Sequence, residues 1–327
     1  MSRRAAALLL ALALMLCVPL SVVAQPSKAA RIGFLLYSPL PTYSTGLALH
    51  RQALADLGWV ERRNLVIEVR SAESQNDRLP VLAADLLRAG VSVIVAENSS
   101  ATRAAMQATS TIPIVMADVG DPIRYGLITS LARPGGNVTG LAGLVSEMML
   151  KNLELLKEVA PRTARVVFLT NPTNPGSTPT MADLQTAAPA LGIKMIRVDV
   201  ATPDDFEGAF ASILREKADG ILLPPEQLLF TQRYRSAAFA EKHRLPSAYA
   251  STRFMDAGGL LAFSSNRADF SQRLATYVDK LLKGAKAADL PVEQFSKFEL
   301  VINAKTARAI GLTLPQSLLL RADRIIE

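Results

Sequence analysis

Runs of apolar residues that stop abruptly at small polar residues are the main pattern of this chain. Residues 91–96 form one such run and end at Glu97, and residues 112–117 form another and end at Asp118. Continuous Val and Ile without alternation are typical of strands that are buried on both faces of a sheet. The intervening segment 101–109 has a helical pattern, so the order predicts a βαβ unit with parallel strands. Both strands then bring their polar ends to one edge of the sheet, where ligands of open α/β sheets bind.

The same alternation of strands and helices runs through residues 30–122 and starts again at residue 165. Extended segments at 137–144, 258–264 and 290–294 are predicted to cross from one half of the chain to the other. The pattern therefore predicts an α/β fold of two doubly wound parallel-sheet lobes joined by a three-crossing hinge. The predicted limits are 29–141 with about 265–294 for lobe I, and 142–264 with about 295–327 for lobe II. Closure of such a hinge buries a small molecule between the lobes.

Local details follow from the positions of Pro, Gly and possible capping residues. A loop over 38–44 is predicted to precede a helix over 45–57, and Asp77 is predicted to cap the next helix. A short helix is predicted over 127–131, and the chain ends in an amphipathic segment over 315–326. These details set the ends of the elements, whereas the apolar runs set their order.

The first residues have the pattern of a secretory signal peptide. Arg3 and Arg4 precede an apolar stretch over 5–18, and small residues follow at the positions that a signal peptidase reads. This pattern predicts cleavage between Ala24 and Gln25 and export to the periplasm.

The alternative to a signal peptide is a membrane anchor, and two features disfavour it. The apolar run is shorter than the roughly 20 residues that span a bilayer, and Pro19 interrupts it. The single cysteine, Cys17, follows Leu16 rather than the small residue that precedes a lipidated cysteine, so we predict release without a lipid anchor. The mature chain then has no disulfide, no thiol nucleophile and no cysteine-based metal site.

Composition and motifs disfavour several classes of function. The formal net charge of +7 falls to +5 without the two signal-peptide arginines, and the remaining basic residues are scattered, which disfavours nucleic-acid binding. Phosphate-loop, dinucleotide-binding and nucleophile-elbow motifs are absent. The two histidines, His50 and His243, lack the spacing of metal ligands. We therefore expect a binding protein that has no cofactor, no metal and no enzymatic activity.

The candidate ligand-binding residues follow the predicted strands at the shared edge of each sheet. In the first half they are Tyr37, Ser38, Tyr43, Asn98, Ser99, Ser100, Asp118 and Asp121. In the second half they are Asn171, Asn174, Glu226, Tyr249 and Ser264. Each has a structural alternative, because serines also cap helices and Asp and Asn also form turns.

An amino acid fits this set of residues. Its carboxylate would bind the hydroxyls and free N–H groups at Ser99 and Ser100, at the start of a helix. Its ammonium would pair with Asp118, and the tyrosines would form an aromatic wall. Asp118 and Asp121 also leave open a secreted enzyme that uses two carboxylates, although no nucleophile accompanies them.

Several segments of specific sequence extend over nearly the whole mature chain. They are 33–37, 77–80, 112–115, 120–122, 133–140, 289–294 and 298–303. Together they resemble the ABC-transporter substrate-binding family that includes the tryptophan/tyrosine-type binding proteins. The resemblance implies a type I periplasmic binding fold with three interlobe crossings. One departure lies at 262–264, where Ala-Phe-Ser stands in place of the Ser-Tyr-Gly that family members often have.

The resemblance also implies a function and partners. The protein would trap a small molecule and deliver it to a membrane permease driven by a cytoplasmic ATPase, and we expect it to be a monomer. The same cleft would equally serve a ligand sensor that feeds a receptor or a sensor kinase, so this alternative stays open. The departure at 262–264 affects a strand end that lines the cleft, and the identity of the ligand therefore stays open as well.

Overall fold

The computed structural model describes residues 29–174 and 176–327, apart from the side chain of Asp118. The predicted signal peptide and its cleavage site lie outside these residues. None of the helices in the described ranges is long and apolar enough to cross a membrane.

The strands follow the apolar runs of the sequence. In chain order they are β1 (Ala30–Leu36), β2 (Leu65–Ser71), β3 (Val93–Ala96), β4 (Ile114–Val119), β5 (Val138–Ala142), β6 (Arg165–Thr170), β7 (Lys194–Asp199), β8 (Gly220–Leu223), β9 (Ser247–Tyr249), β10 (Leu261–Ser265), β11 (Glu293–Gln294), β12 (Phe298–Asn303) and β13 (Arg324–Ile326). The apolar runs at 165–170 and 220–223 predict strands with the limits that β6 and β8 have in the structure. Their Val, Ile and Leu side chains are buried on both faces, so the apolar run and the strand coincide.

The α-helices lie between these strands, as the alternation predicts. In chain order they are α1 (Leu40–Asp56), α2 (Leu79–Arg88), α3 (Ser99–Ala108), α4 (Val145–Val159), α5 (Ser177–Ala187), α6 (Asp205–Arg215), α7 (Gln227–Thr231), α8 (Arg233–Lys242), α9 (Arg267–Leu282), α10 (Ala304–Ala309) and α11 (Gln316–Leu319). Short 3-10 helices lie at Asn76–Arg78, Ala188–Leu191, Thr252–Ala257 and Ala287–Asp289.

The strands form two sheets, and the chain passes between them three times. The first sheet has the order β11-β5-β4-β3-β1-β2 and the second has the order β13-β12-β10-β9-β8-β6-β7. The passages lie between β5 and β6, between β10 and β11, and between β11 and β12. All strand pairs are parallel except β10 with β12. The predicted fold of two parallel-sheet lobes with a three-crossing hinge is therefore confirmed, and we call the layers around the two sheets lobe I and lobe II.

Each sheet lies between two layers of helices. In β1, Phe34 and Leu36 pack with residues of α1 and α9, whereas Leu35 packs on the opposite face with residues of α2 and α3. The second sheet has the same arrangement, with α4 and α5 on one face and α6 and α8 on the other. Burial on both faces explains why these strands are continuous apolar runs rather than alternating ones.

The strand order reverses at one point in each sheet. In the first sheet this switch point lies between β1 and β3, and in the second it lies between β6 and β8. The loops that leave such neighbouring strands diverge to opposite faces, which opens a crevice at the carboxyl ends. The residues that follow β1, β3, β6 and β8 are therefore placed to form the site.

Three of the local predictions were wrong. The helix predicted from residue 45 begins at Leu40, because Pro41 sits in its first turn, where a missing N–H leaves no hydrogen bond unmade. Asp77 does not cap α2, because it lies inside a 3-10 turn that runs directly into the helix. The segment 127–131 is not helical; the N–H groups of Leu127 and Ile128 both donate to the carbonyl of Pro122.

The amphipathic segment predicted over 315–326 divides into two elements. Its first part is the short helix α11, and its last residues are β13, which pairs in parallel with β12. Ile325 lies opposite Ile302 in this pair, so the terminal apolar residues extend the second sheet instead of a helix.

Gly140 lies where two backbones approach each other closely. It stands opposite Met116 in the β4–β5 pair, has a φ of 126°, and leaves no room for a Cβ beside the Met116 carbonyl. We predict that Gly140→Ala lowers the free energy of unfolding by about 3 kcal/mol or more, since strain and overlap act together.

The neighbouring loop supplies the matched control. Gly136 has no atom within 4 Å of the position that a Cβ would occupy, so Gly136→Ala should change stability by less than about 0.5 kcal/mol. Thermal unfolding of both variants is the measurement. Equal melting temperatures for Gly140→Ala and the parent protein would contradict this account of the β4–β5 contact.

Candidate functional site

A cavity of about 280 Å³ lies between the carboxyl edges of the two sheets. Both lobes line it, lobe I through the residues after β1 and β3 and lobe II through those after β6, β8, β9 and β10. On one side the lobes meet closely, because a Cβ at Gly176 would lie 2.9 Å from the hydroxyl of Tyr125. The arrangement encloses a small molecule between the lobes.

The structure brings most of the sequence-predicted residues to this cavity. Those that line it are Tyr37, Tyr43, Asn98, Ser99, Ser100, Asn171, Asn174, Glu226 and Ser264. They come from both lobes and from strand ends that are far apart in sequence. The rule that selected them, a polar residue after a buried strand, is thus sufficient to find one shared cavity.

The structure does not place Ser38, Asp121 and Tyr249 on the cavity wall, which corrects that part of the prediction. Ser38 is buried below the wall, and Asp121 is exposed and accepts a 2.9 Å hydrogen bond from the N–H of Arg124 in a turn. Tyr249 points into the core of lobe II, where its ring stacks on Phe254 at 4.5 Å between centroids. Pleating places Tyr249 on the face of the sheet that α6 and α8 cover, whereas Ala248 and Ala250 lie on the face that α4 and α5 cover.

Asp118, the predicted partner of an ammonium, lies in β4. Its side chain is outside the part of the chain that the structure describes, so the pairing stays a prediction.

Glu97 is a cavity residue that the sequence analysis did not select. It follows β3, and its Oε2 accepts a 2.8 Å hydrogen bond from the N–H of Ser38, which follows β1. The hydroxyl of Ser38 donates to the other carboxylate oxygen. Burial raises the pKa of Glu97 above its ordinary value, although the Ser38 hydrogen bonds and the charge of Arg253 act in the opposite direction. Glu97 therefore bridges the switch point of the first sheet and faces the cleft.

Glu226 occupies the corresponding position in lobe II. It follows β8, and its two oxygens accept hydrogen bonds from the side-chain amides of Asn171, at 3.3 Å, and Asn174, at 2.5 Å. Both asparagines follow β6. Each lobe thus presents a glutamate from one side of its switch point that side chains from the other side hold in place.

The capping residue of α3 is Asn98. Its Oδ1 accepts a 2.9 Å hydrogen bond from the N–H of Ala101, and the helix begins at Ser99. Ser99 and Ser100 are therefore not the cap, and both line the cavity.

Two arginines also line the cavity and were missed. Arg253 follows β9, and its guanidinium carbon lies 4.3 Å from the centre of the Phe230 ring, a cation–π contact. Arg267 begins α9, directly after β10. The strand-end rule also covers both, because they follow β9 and β10.

The environment of Arg253 is partly buried and positively charged. Burial lowers the pKa of Arg253 to about 10, and the charges of Arg267 and Arg233 act in the same direction. The group still carries its charge at neutral pH. Among the described residues, no hydrogen bond or ion pair engages its guanidinium, which contacts the Phe230 ring. Tyr43 and Glu97 act on the pKa of Arg253 in the opposite direction and raise it.

Aromatic rings form much of the remaining wall. They belong to Tyr37, Tyr43, Tyr125, Phe168, Phe230, Phe254 and Phe270. Such rings pack against planar or apolar ligands and exclude water from the cleft.

Three residues of the cavity wall also have a buried polar atom without a hydrogen-bond partner among the described residues. These atoms are Ser264 Oγ, Gln227 Nε2 and His50 Nδ1. An unpaired buried polar group costs about 1–3 kcal/mol, so a polar ligand that pairs with it is favoured.

Comparison with known proteins adds the family. A sequence model of the family described as ABC transporter substrate binding protein matches residues 45–326. The chain belongs to this family. Its members bind solutes for ABC transporters, which agrees with a cavity enclosed between two lobes.

Individual proteins are similar to this chain in sequence or in fold. The tyrosine-binding protein of Clostridioides difficile (strain R20291) is 24% identical over 261 residues, which cover 80% of this chain and 75% of the relative. A conserved domain protein from Vibrio cholerae superposes with a TM-score of 0.84 at 25% identity, covering 91% of this chain and 100% of that one. A domain from Streptococcus pneumonia in complex with L-Trp gives a TM-score of 0.84 at 24% identity, with the same coverage.

The described residues hold no group of three or more His, Cys, Asp or Glu placed to bind a metal ion.

His50 provides a test of how the cavity wall responds to pH. It is buried beside Tyr43, whose hydroxyl lies 3.0 Å from its Nε2, and burial together with the charge of Arg267 lowers its pKa from 6.5 to about 4. The unfolded chain therefore binds a proton between these pH values and the folded protein does not, so stability falls as the pH falls through this window. The shift corresponds to about 3 kcal/mol.

We predict that His50→Gln removes this part of the pH dependence. Thermal unfolding of the ligand-free protein between pH 7.5 and pH 4 is the measurement, and the melting temperature of the variant should fall less steeply than that of the parent. Parallel curves would contradict a neutral, buried His50.

Proposed function

We propose that the protein is the periplasmic solute-binding component of an ABC importer, and that its ligand is an amino acid with an aromatic side chain. The observation that carries this proposal is the cavity between the lobes, which combines aromatic rings with charged groups of both signs. An aromatic amino acid needs both, because its side chain is planar and its backbone end is zwitterionic. The relatives named for tyrosine binding and solved with L-Trp support the same ligand class.

The size of the cavity supports a ligand of this size. Its volume of about 280 Å³ is at the lower end of the roughly 300–1,000 Å³ that small-molecule sites occupy. A single amino acid is compatible with this space, whereas an oligosaccharide or a peptide would need a larger or more open groove.

Export is part of the same proposal. The signal peptide predicted at residues 1–24 would deliver the mature chain to the periplasm, where it would meet the permease as a monomer. A ligand sensor with the same cleft is the second candidate. Deleting the gene should abolish uptake of the labelled amino acid if the protein serves an importer, and should leave uptake unchanged if it serves a sensor.

The alternative of a secreted enzyme requires two carboxylates at the site, and Asp121, one of the two, does not line the cavity. Asp121 is exposed, away from the cavity wall, and its carboxylate holds a turn. General acid–base catalysis needs both groups within reach of one substrate, so the exposed position of Asp121 favours binding over catalysis.

We predict that L-tyrosine or L-tryptophan raises the melting temperature of the purified protein, because a ligand that binds only the folded state stabilises it by mass action. At 100 times the dissociation constant the gain is about 2.7 kcal/mol, which corresponds to a rise of about 5 °C or more. Glucose and benzoate at the same concentration are the controls. If no amino acid raised the melting temperature and a control compound did, the proposed ligand class would be wrong.

A further inference from the structure

The cleft separates its charged groups between the two lobes. Arg253 lies on the wall of lobe II, in the 3-10 helix after β9, and Glu97 lies on the wall of lobe I, after β3. Each is close enough to the other for its charge to shift the partner's pKa. No ion pair joins them among the described residues, and both groups line the same cavity.

Arg253 is our candidate for the residue that binds an anionic group of the ligand. Arginines such as Arg51 and Arg88 form ion pairs at the surface. Arg253 instead faces the cavity, and no ion pair engages it among the described residues. Two further groups, Gln227 and Ser264, also line lobe II and leave the buried atoms Nε2 and Oγ unpaired. A guanidinium and an amide N–H together supply the donors that a carboxylate prefers.

Glu97 is the matching candidate for a cationic group. Its carboxylate is fixed by Ser38, so it does not have to be ordered when a ligand binds. Burial raises the pKa of Glu97, and an ammonium bound beside it would favour the charged carboxylate. Each carboxylate oxygen retains acceptor capacity beyond the hydrogen bond from Ser38.

We propose that the ligand binds as a zwitterion that bridges the lobes, with its carboxylate on Arg253 of lobe II and its ammonium on Glu97 of lobe I. This inference rests on the proposed function and assigns the ends of the ligand. It replaces the hypothesis that Ser99 and Ser100 hold the carboxylate and Asp118 the ammonium. A ligand held at each end by a different lobe stabilises the closed arrangement, because neither lobe alone satisfies both of its charges.

The test uses compounds that lack one end of the ligand. L-tyrosine is compared with tyramine, which lacks the carboxylate, and with 3-(4-hydroxyphenyl)propionate, which lacks the ammonium, by isothermal titration calorimetry on the full mature protein. L-tryptophan, tryptamine and indole-3-propionate form a parallel series. The readout is the ratio of each variant's affinities for the amino acid and for the compound that lacks one charged group. A residue with a purely structural role would not change this ratio.

Arg253→Gln should weaken binding of the amino acid by about 10- to 100-fold and should remove its advantage over the amine. Its effect on the amine itself should be small. The matched control is Arg233→Gln, because Arg233 lies over the same Phe230 ring at 4.4 Å but does not line the cavity. That variant should keep the parent affinity for all three compounds.

Glu97→Gln should have the opposite selectivity. It should weaken the amino acid and the amine by about 10- to 100-fold and leave the acid unchanged. Asp121→Asn, at an exposed carboxylate outside the cavity wall, is the matched control and should retain the preference for the amino acid over the acid, as should Asp118→Asn. The melting temperature of each ligand-free variant confirms that it is folded.

Three results would overturn the inference. The first is that Arg253→Gln binds the amino acid with unchanged affinity. The second is that this variant still prefers the amino acid over the amine. The third is loss of ammonium recognition in Asp118→Asn but not in Glu97→Gln. Failure of the parent protein to bind either amino acid is a separate outcome, because it contradicts the proposed function on which the inference rests.

Discussion

Two buried carboxylates hold the loops of the cleft at the switch points of the sheets. In lobe I, Ser38 after β1 donates two hydrogen bonds to Glu97 after β3, and in lobe II, Asn171 and Asn174 after β6 donate to Glu226 after β8. These contacts join loops that the reversal of strand order would otherwise let diverge. The helices α1, α3, α5 and α7 start shortly after these four loops, so the contacts also fix where those helices begin. The same device occurs in both lobes although the sequence of the halves shows no repeat.

Much of the fold could be predicted from the sequence because burial acts directly on residue type. A strand between two helix layers must be apolar on both faces, so β6 and β8 could be located to the residue. The helix predicted over 127–131 was wrong because burial alone does not determine backbone hydrogen bonding. Leu127 and Ile128 are apolar because they pack on the core of lobe I, and their backbone hydrogen bonds close a turn at Pro122 rather than a helix. The apolar character of a segment indicates that it is buried, but it does not indicate which carbonyl accepts its backbone hydrogen bonds.

Part of the candidate site was also predictable from the sequence, whereas three of its charged residues, Glu97, Arg253 and Arg267, were missed. Polar residues after buried strands led to nine residues of the cavity wall, since topology brings those strand ends together. Arg253 and Glu97 were not selected, although each follows a strand that ends at the carboxyl edge of its sheet. What sets them apart is tertiary: Glu97 is held by Ser38 from another strand, and Arg253 lies on a ring and lacks an ion-pair partner among the described residues. Neither fact leaves a mark in the local sequence.

The central claim is that a zwitterion bridges the two lobes of the cleft, and a crystal structure of the mature protein with L-tyrosine or L-tryptophan tests it most directly. The account predicts a carboxylate within hydrogen-bonding distance of the Arg253 guanidinium and an ammonium within hydrogen-bonding distance of Glu97, with the aromatic side chain among the rings of the cavity. A carboxylate bound instead at Ser99 and Ser100, with the ammonium on Asp118, would contradict it.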